Sequence, residues 1–154
     1  EDWDLVIETN LNGPFKMTRA CLPDMLTNRW GRIVNIASTA ATTAVSTHAA
    51  YCASKAGLLG LTRAVALEGA GRGVTCTAVS PTWVETEMLQ NSIKKMAEQS
   101  GQTPESHKEE IATANPQNRL VQPQEIAELV SFLCSDLSPA LTMEDIQVNA
   151  GAHW

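Results

Sequence analysis

The only tyrosine of the 154-residue chain, Tyr51, has a lysine four positions on, Lys55. On a helix that spacing sets both side chains on one face. A free phenol titrates near about pH 10 and is a poor acid or base at neutrality. An ammonium beside it favours the phenolate and brings proton transfer toward the working range. Ser38 stands thirteen residues ahead of Tyr51, so a strand-end hydroxyl and a phenol at the next helix start can converge on one carbonyl oxygen. With five lysines and ten serines in the chain, the joint chance of this triple is on the order of 0.2%. The plain alternative is a core-edge tyrosine packed on a lysine stem.

Three kinds of element must position these groups. Apolar residues recur at helical spacing from Asp4 to about Leu26 (Leu5, Leu11, Phe15, Met17, Leu22, Met25, Leu26). Pro14 inside that stretch either starts a new helix or kinks a longer one. Residues 32–37 read as a buried strand, and the small and hydroxylated residues 38–47 as a loop. A second helix is expected over about 48–69, apolar over most of its circumference and so buried on several sides. Residues 74–79 form the next strand. A long polar segment, 82–122, carries helical patches around 87–98 and 105–114. Pro123 opens a short amphipathic helix, and residues 145–148 form a last strand before the tail that ends in His153-Trp154.

Helix, strand, helix, strand, helix, strand implies parallel strands in βαβ units, an α/β fold. Three strands are fewer than a doubly wound sheet normally has, and the chain opens in a helix. The expectation is that residues 1–154 are part of a larger single domain.

Composition bounds the function. The chain is 44% hydrophobic and 18% charged, enough to bury a core. A formal net charge of −6 argues against a nucleic-acid or anionic-membrane partner. No apolar run reaches the roughly 18 residues of a membrane span, and the acidic start Glu1-Asp2-Trp3-Asp4 has the wrong sign for a targeting peptide. Cys21, Cys52, Cys76 and Cys134 show no metal-ligand spacing and read as reduced thiols, so no metal site and a cytoplasmic location are expected.

Asn10 in Asn10-Leu11-Asn12-Gly13, Ser38 after Arg32-Ile33-Val34-Asn35-Ile36, Tyr51-Cys52-Ala53-Ser54-Lys55-Ala56-Gly57, and Ser80-Pro81 closing a strand together resemble the short-chain dehydrogenases/reductases. The resemblance runs the length of the chain and covers the family's C-terminal three-fifths or so. It implies a Rossmann-like doubly wound parallel sheet whose first strands and glycine-rich phosphate loop are absent here. It also implies roles. Tyr51 is the general acid in ketone reduction and the general base in alcohol oxidation. Lys55 lowers the tyrosine's pKa and holds the nicotinamide ribose, Ser38 binds the substrate oxygen, and Asn10 holds a water that relays protons to Lys55. The cofactor is NAD or NADP, with the preference unreadable. Val84, through its backbone, and Thr86, through its hydroxyl, join Tyr51 and Lys55 in the cofactor site, with Asn35 and Pro81 as neighbours.

The segment 82–122 resembles a mobile substrate lid. Its start, Ser80 to Thr86, is most similar to 3-hydroxybutyrate dehydrogenases and ketoacyl or polyketide reductases. The substrate positions so implied hold Ala40 and His48, with Ser92 in the lid, Ala152 near the end, and Trp83 as either a lid packing residue or a pocket wall. Thr82, Met143 and Asn149-Ala150 depart from the family's usual residues and put different side chains near tight turns. The expected substrate is a small alcohol or ketone of hydroxyacyl or ketoacyl type. Association into a homodimer or homotetramer through the helices at about 4–26 and 48–69 is expected too. The alternative is a truncated, cofactor-free module that only dimerises; an epimerase or dehydratase using the same tyrosine is a third reading.

Overall fold

A computed structural model describes residues 2–152; Glu1, His153 and Trp154 lie outside the described residues. The chain opens with α1 (Trp3–Ile7), whose first turn is capped by the Asp2 carboxylate accepting from Leu5 N–H at 3.1 Å. It passes without a break through a π-helical turn, Glu8–Asn12, into α2 (Gly13–Asn28). Proline at position 14 has no N–H to give the Asn10 carbonyl four residues back. The helix accommodates this with one wide turn in which Gly13 N–H reaches the Glu8 carbonyl. Pro14 therefore neither starts a separate helix nor simply kinks one. A surface brace holds the wide turn: the Glu8 carboxylate accepts from Asn12 Nδ2 at 2.7 Å and pairs with Lys16.

The sheet is three parallel strands in the order β1-β2-β3: β1 (Gly31–Ile36), β2 (Val74–Pro81) and β3 (Asp145–Val148). Gly31 pairs with Val74 and Ile36 with Val79, while β2 pairs with β3 from Ala78↔Asp145 to Pro81↔Val148. A 21-residue helix, α3 (Ala49–Gly69), links β1 to β2 and packs on β2. Its turn into β2 needs Gly73, where φ is +73° and a Cβ would meet the Arg29 carbonyl at 2.3 Å. Alternation along β1 records the two faces. Asn35 points to α3, where its amide reaches Thr62, and Arg32 points the other way, reaching the carbonyl of Ser135 just beyond α6 (Pro123–Leu133).

Between β2 and α6, the segment 82–122 is more ordered than its polarity suggests. Two helices, α4 (Glu87–Ser100) and α5 (Pro104–Ala114), form a hairpin around Leu89, Ile93 and Leu120, with Ile111 and Ala112 against them. Two cores underlie the sheet: Leu22, Val65, Ala66, Val74 and Cys76, and Ala37, Leu58, Leu59 and Ala78. Every residue of β2 is buried, as a central parallel strand requires.

One expectation is corrected by the packing. α3 buries Ala50, Ser54, Leu58, Leu59, Thr62, Val65 and Ala66, but Ala53, Ala56, Ala64 and Leu67 stay exposed, so it is covered on one side and not several. Trp3, Leu5, Phe15 and Met17 of the first helices are likewise exposed. No helix among the described residues is long and apolar enough to cross a membrane. The four cysteines are unpaired: Cys21 and Cys134 are exposed, Cys52 half-buried and Cys76 buried.

Candidate active site

In an open parallel sheet, groups that act on a ligand collect at the carboxyl ends of the strands, and the chemistry-bearing residues here sit there. β1 ends at Ile36, and its carbonyl accepts a hydrogen bond from Lys55 Nζ at 2.8 Å. That bond pins the first half of α3 across the strand end. The ammonium also lies 5.6 Å from the centroid of the Tyr51 ring, one helical turn earlier. Burial of the lysine pushes its pKa down from the usual ammonium range. The spacing read from the sequence thus becomes a real contact between phenol and cation.

Ser38 follows immediately after the strand. Its extended backbone (φ −170°, ψ 154°) N-caps a short 3-10 turn, Thr39–Ala41, and its Oγ accepts from Ala40 N–H at 3.2 Å. The oxygen's acceptor capacity is used locally, so its O–H remains to donate outward. The 3-10 turn packs on α3, the helix that carries Tyr51.

Asn10 comes from the π-helical turn and reaches α3: its Nδ2 donates to Ser54 Oγ at 3.2 Å, and Ser54 Oγ donates to the Tyr51 carbonyl at 2.7 Å. One residue on, Leu11 lies against Gly57, where an added Cβ would stand 2.9 Å from its Cδ2. A side chain at 57 would have to displace the end of the Leu11 side chain. The links Asn10–Ser54, Leu11–Gly57 and Lys55–Ile36 join Asn10, Tyr51 and Lys55 to the end of β1. Ser54 was not singled out from the sequence; its position, three after Tyr51 and one before Lys55, was the available signal.

A second strand end faces the same way. Past Pro81, which is buried at the end of β2, Val84 forms an isolated parallel bridge with Val121. Val121 N–H donates to the Trp83 carbonyl at 3.2 Å and Glu85 N–H to the Val121 carbonyl at 2.9 Å. In a parallel bridge of this pattern, Val84's own N–H points away from the partner strand. Thr86 caps α4, its Oγ1 accepting from Leu89 N–H at 3.3 Å and donating to the Val84 carbonyl at 3.3 Å. The Glu85 carboxylate between them pairs with Lys108 of α5 and accepts from Gln122 Nε2 at 3.2 Å. The Lys108 hydrogen bond, and then that of Gln122, holds this carboxyl below the usual range.

The remaining expected positions part company. Asn35 is not brought to the site: it is buried under α3, its Nδ2 donating to Thr62 Oγ1 at 2.8 Å and to Cys76 Sγ at 3.7 Å. The alternation that turns Arg32 to α6 turns Asn35 into the core. Ala40 is buried and offers only a methyl group. His48 is exposed just before α3, its Nδ1 within 2.9 Å of the Ser46 carbonyl. Trp83 is 36% exposed beside the Val84 bridge.

The chain is similar to known reductases and to a dehydrogenase. The family model described as enoyl-(acyl carrier protein) reductase matches residues 1–153. The 3-oxoacyl-(acyl-carrier-protein) reductase FabG of Aquifex aeolicus is 40% identical over 150 residues, covering 97% of this chain and 56% of that protein. The D-beta-hydroxybutyrate dehydrogenase of Cupriavidus necator is 39% identical over 137 residues, covering 88% of this chain and 53% of that one. An actinorhodin polyketide ketoreductase solved with NADPH superimposes with a TM-score of 0.92 at 38% identity, over 99% of this chain and 61% of its own. The chain spans between half and two-thirds of the length of these relatives.

Proposed function

The chain belongs to the short-chain dehydrogenase/reductase family, and we propose that it supplies the proton-transfer half of an NAD(P)-dependent enzyme that interconverts a secondary alcohol and a ketone. The observation that carries this reading is the double contact of Lys55, with the β1 end at Ile36 and with the Tyr51 ring. A cation held beside that ring is placed to assist proton transfer at the phenol. In reduction Tyr51 donates its hydroxyl proton to the ketone oxygen; in oxidation it takes the alcohol proton. Ser38 donates its O–H to the same oxygen. Asn10, seated against α3, supports a water that returns a proton toward Lys55.

A nicotinamide nucleotide fits the donors on this side of the sheet. Lys55 would hold ribose hydroxyls, Val84 would offer its outward N–H and Thr86 its hydroxyl, with Pro81 and the Tyr51 ring alongside. Asn35 is left out because its amide is engaged in the core. When bound, the nucleotide supplies or accepts the hydride, which these side chains cannot. No glycine-rich turn between a strand and a helix occurs among the described residues, so the phosphate end of the nucleotide has no cradle of that kind here. A second reading, favoured by the apolar stripes that α3 and the first helices leave open, is a module that associates without binding cofactor.

The named relatives favour a hydroxyacyl or ketoacyl substrate beneath the lid, with Trp83, His48 and Ala40 near it. The open stripes on α3 (Ala53, Ala56, Ala64, Leu67) and on the first helices (Leu5, Phe15, Met17) support association of copies into a dimer or tetramer. An acidic net charge and no membrane-crossing helix among the described residues favour a small-molecule role in the cytoplasm.

The deciding test is titration of the chain with NADH and with NADPH, reading energy transfer from tryptophan to the reduced nicotinamide. Saturation with either one supports the enzyme reading and names the cofactor. No binding up to millimolar favours the cofactor-free module.

A further inference from the structure

Ser54 carries a hydroxyl with no exposure to solvent, between the two residues to which the proton chemistry is assigned. A buried hydroxyl that transfers no proton needs a reason to be there. Its two bonds supply one. It donates to the Tyr51 carbonyl on its own helix at 2.7 Å and accepts from Asn10 Nδ2 of the π-helical turn at 3.2 Å. The first bond alone is ordinary back-bonding of a helical serine. The second joins it to a different segment, forty-four residues away in sequence.

We propose that Ser54 is a positioning residue that sets where Asn10 stands relative to Tyr51 and Lys55. The proposal rests on the reductase reading above. The wide turn meets α3 at two adjacent points: Leu11 against Gly57, which resists close approach but is apolar and slides, and Asn10 on Ser54, which is directional. Of the two, only a hydrogen bond fixes the rotation of the Asn10 side chain. Because Ser54 also holds the Tyr51 carbonyl, a shift of the turn is felt at the first turn of α3, where the phenol and the ammonium are aligned. The helix alone orders Tyr51 and Lys55 with respect to each other; Ser54 orders the third group with respect to both. Without the hydroxyl, the Asn10 amide loses its partner at a half-buried contact, and the turn gains a second resting position.

The test has a structural arm and a kinetic arm. In the 15N-labelled chain, the side-chain amide protons of Asn10 should exchange with water at least about tenfold more slowly than those of exposed Asn91. Ser54→Ala should remove that protection while thermal unfolding stays cooperative. Ser54→Cys, close in size and with a weak S–H donor, should fall between the two and keeps the test open if the alanine variant does not fold. In ketone reduction with NADPH, Ser54→Ala should lower kcat by about tenfold and displace the pH–rate profile, with the KM for NADPH unmoved. Adding Ser54→Ala to Asn10→Ala should cost nothing more, because both act through one contact. Equal exchange of Asn10 and Asn91 in the parent, or a Ser54→Ala variant with the parent's kcat and pH profile, overturns the proposal. Tyr51→Phe run alongside separates the two ideas. Loss of turnover there with an unaffected Ser54→Ala sinks only the role of Ser54, whereas full turnover of Tyr51→Phe sinks the reading of the site itself.

Discussion

The corner that holds Tyr51 and the hairpin that follows it are built on opposite plans. In the corner, polar side chains are tied down one by one: Lys55 to the Ile36 carbonyl, Ser54 to the Tyr51 carbonyl, and buried Asn35 to the Thr62 hydroxyl beneath α3. Beneath them lie Leu58, Ala66, Cys76, Ala78 and Val79, each no more than 2% exposed. In the hairpin, three buried apolar side chains, Leu89, Ile93 and Leu120, carry the packing. Ion pairs near the surface, Lys108–Glu85 and Arg119–Glu125, fasten its two ends. Burial makes a contact stiff and costly to break, whereas exposed pairs are weak and exchangeable. The proposed site, which would fix a proton donor and still admit a ligand, draws on one region of each kind.

The sharpest way to break this contrast is at the phenol. Tyr51→Phe should reduce ketone turnover by at least about a thousandfold, within the range for loss of a positioned acid, while the dissociation constant for NADPH changes little. Steady-state kinetics beside a tryptophan energy-transfer titration checks both, and a loss of only a few-fold in rate would falsify the assigned role. Lys55→Ala should damage rate and binding together, since the proposed reading assigns one ammonium to both.

Next in size is the floor of the corner. Leu58 is 2% exposed and packs with Ala37, Leu59 and Ala78, against which Leu11 of the wide turn also rests. Leu58→Ala should cost about 2–5 kcal/mol of global stability, read as a lower midpoint in urea with an unchanged slope. A cost below about 1 kcal/mol would mean that the corner collapses around the gap and is softer than its burial indicates.

How far the sequence reveals this arrangement depends on the range of each interaction. Helix, strand and helix in order, the Tyr51–Lys55 face and the strand before Ser38 are local patterns, and they appear in the structure where periodicity puts them. The Asn10–Ser54 contact is not local. It depends on a wide turn whose only trace is Pro14, and that proline was equally compatible with a helix start or a kink. Asn35 shows another limit. Motif neighbourhood suggested the cofactor, while the alternation Arg32, Ile33, Val34, Asn35 already set it on the face of Ile33, which packs on the core. The lid helices were legible as patches; their mutual packing was not, since Ile93 meets Leu120 across a hairpin that no short-range period encodes. The outward stripe on α3 was legible as apolar, but which part of it is covered is a property of neighbours.

Within the hairpin the effects should be smaller and confined. Ile93→Ala removes the centre of the hairpin's apolar cluster, and its cost, toward the low end of about 2–5 kcal/mol, should register as faster amide exchange across 87–114. Protection of α3 and β2 should stay at the parent level. Equal loosening of β2 would show that lid and sheet unfold as one unit and that the contrast between them is one of exposure only.

The smallest effect, and the one that isolates the surface fastening, is a pH dependence at the lid's exit. Glu125 is held down to about 2, first by the bidentate hydrogen bonds from Arg119 and then by Gln122 N–H. A carboxyl whose folded pKa lies below its unfolded value contributes stability that is full above the unfolded pKa, near about 4.3. That contribution fades as the pH falls and is gone below about 2. Amide exchange at 122–126, where Gln122 and Glu125 cap α6, should therefore quicken between pH 4 and pH 2 by more than the intrinsic rate predicts. In Glu125→Gln the same amides should start faster and show no such step. Because the pair is exposed, the rest of the chain should be indifferent to the change. A step of equal size in β2 would mean that α6, lying against β1 and β2, passes the loss of its cap directly into the sheet.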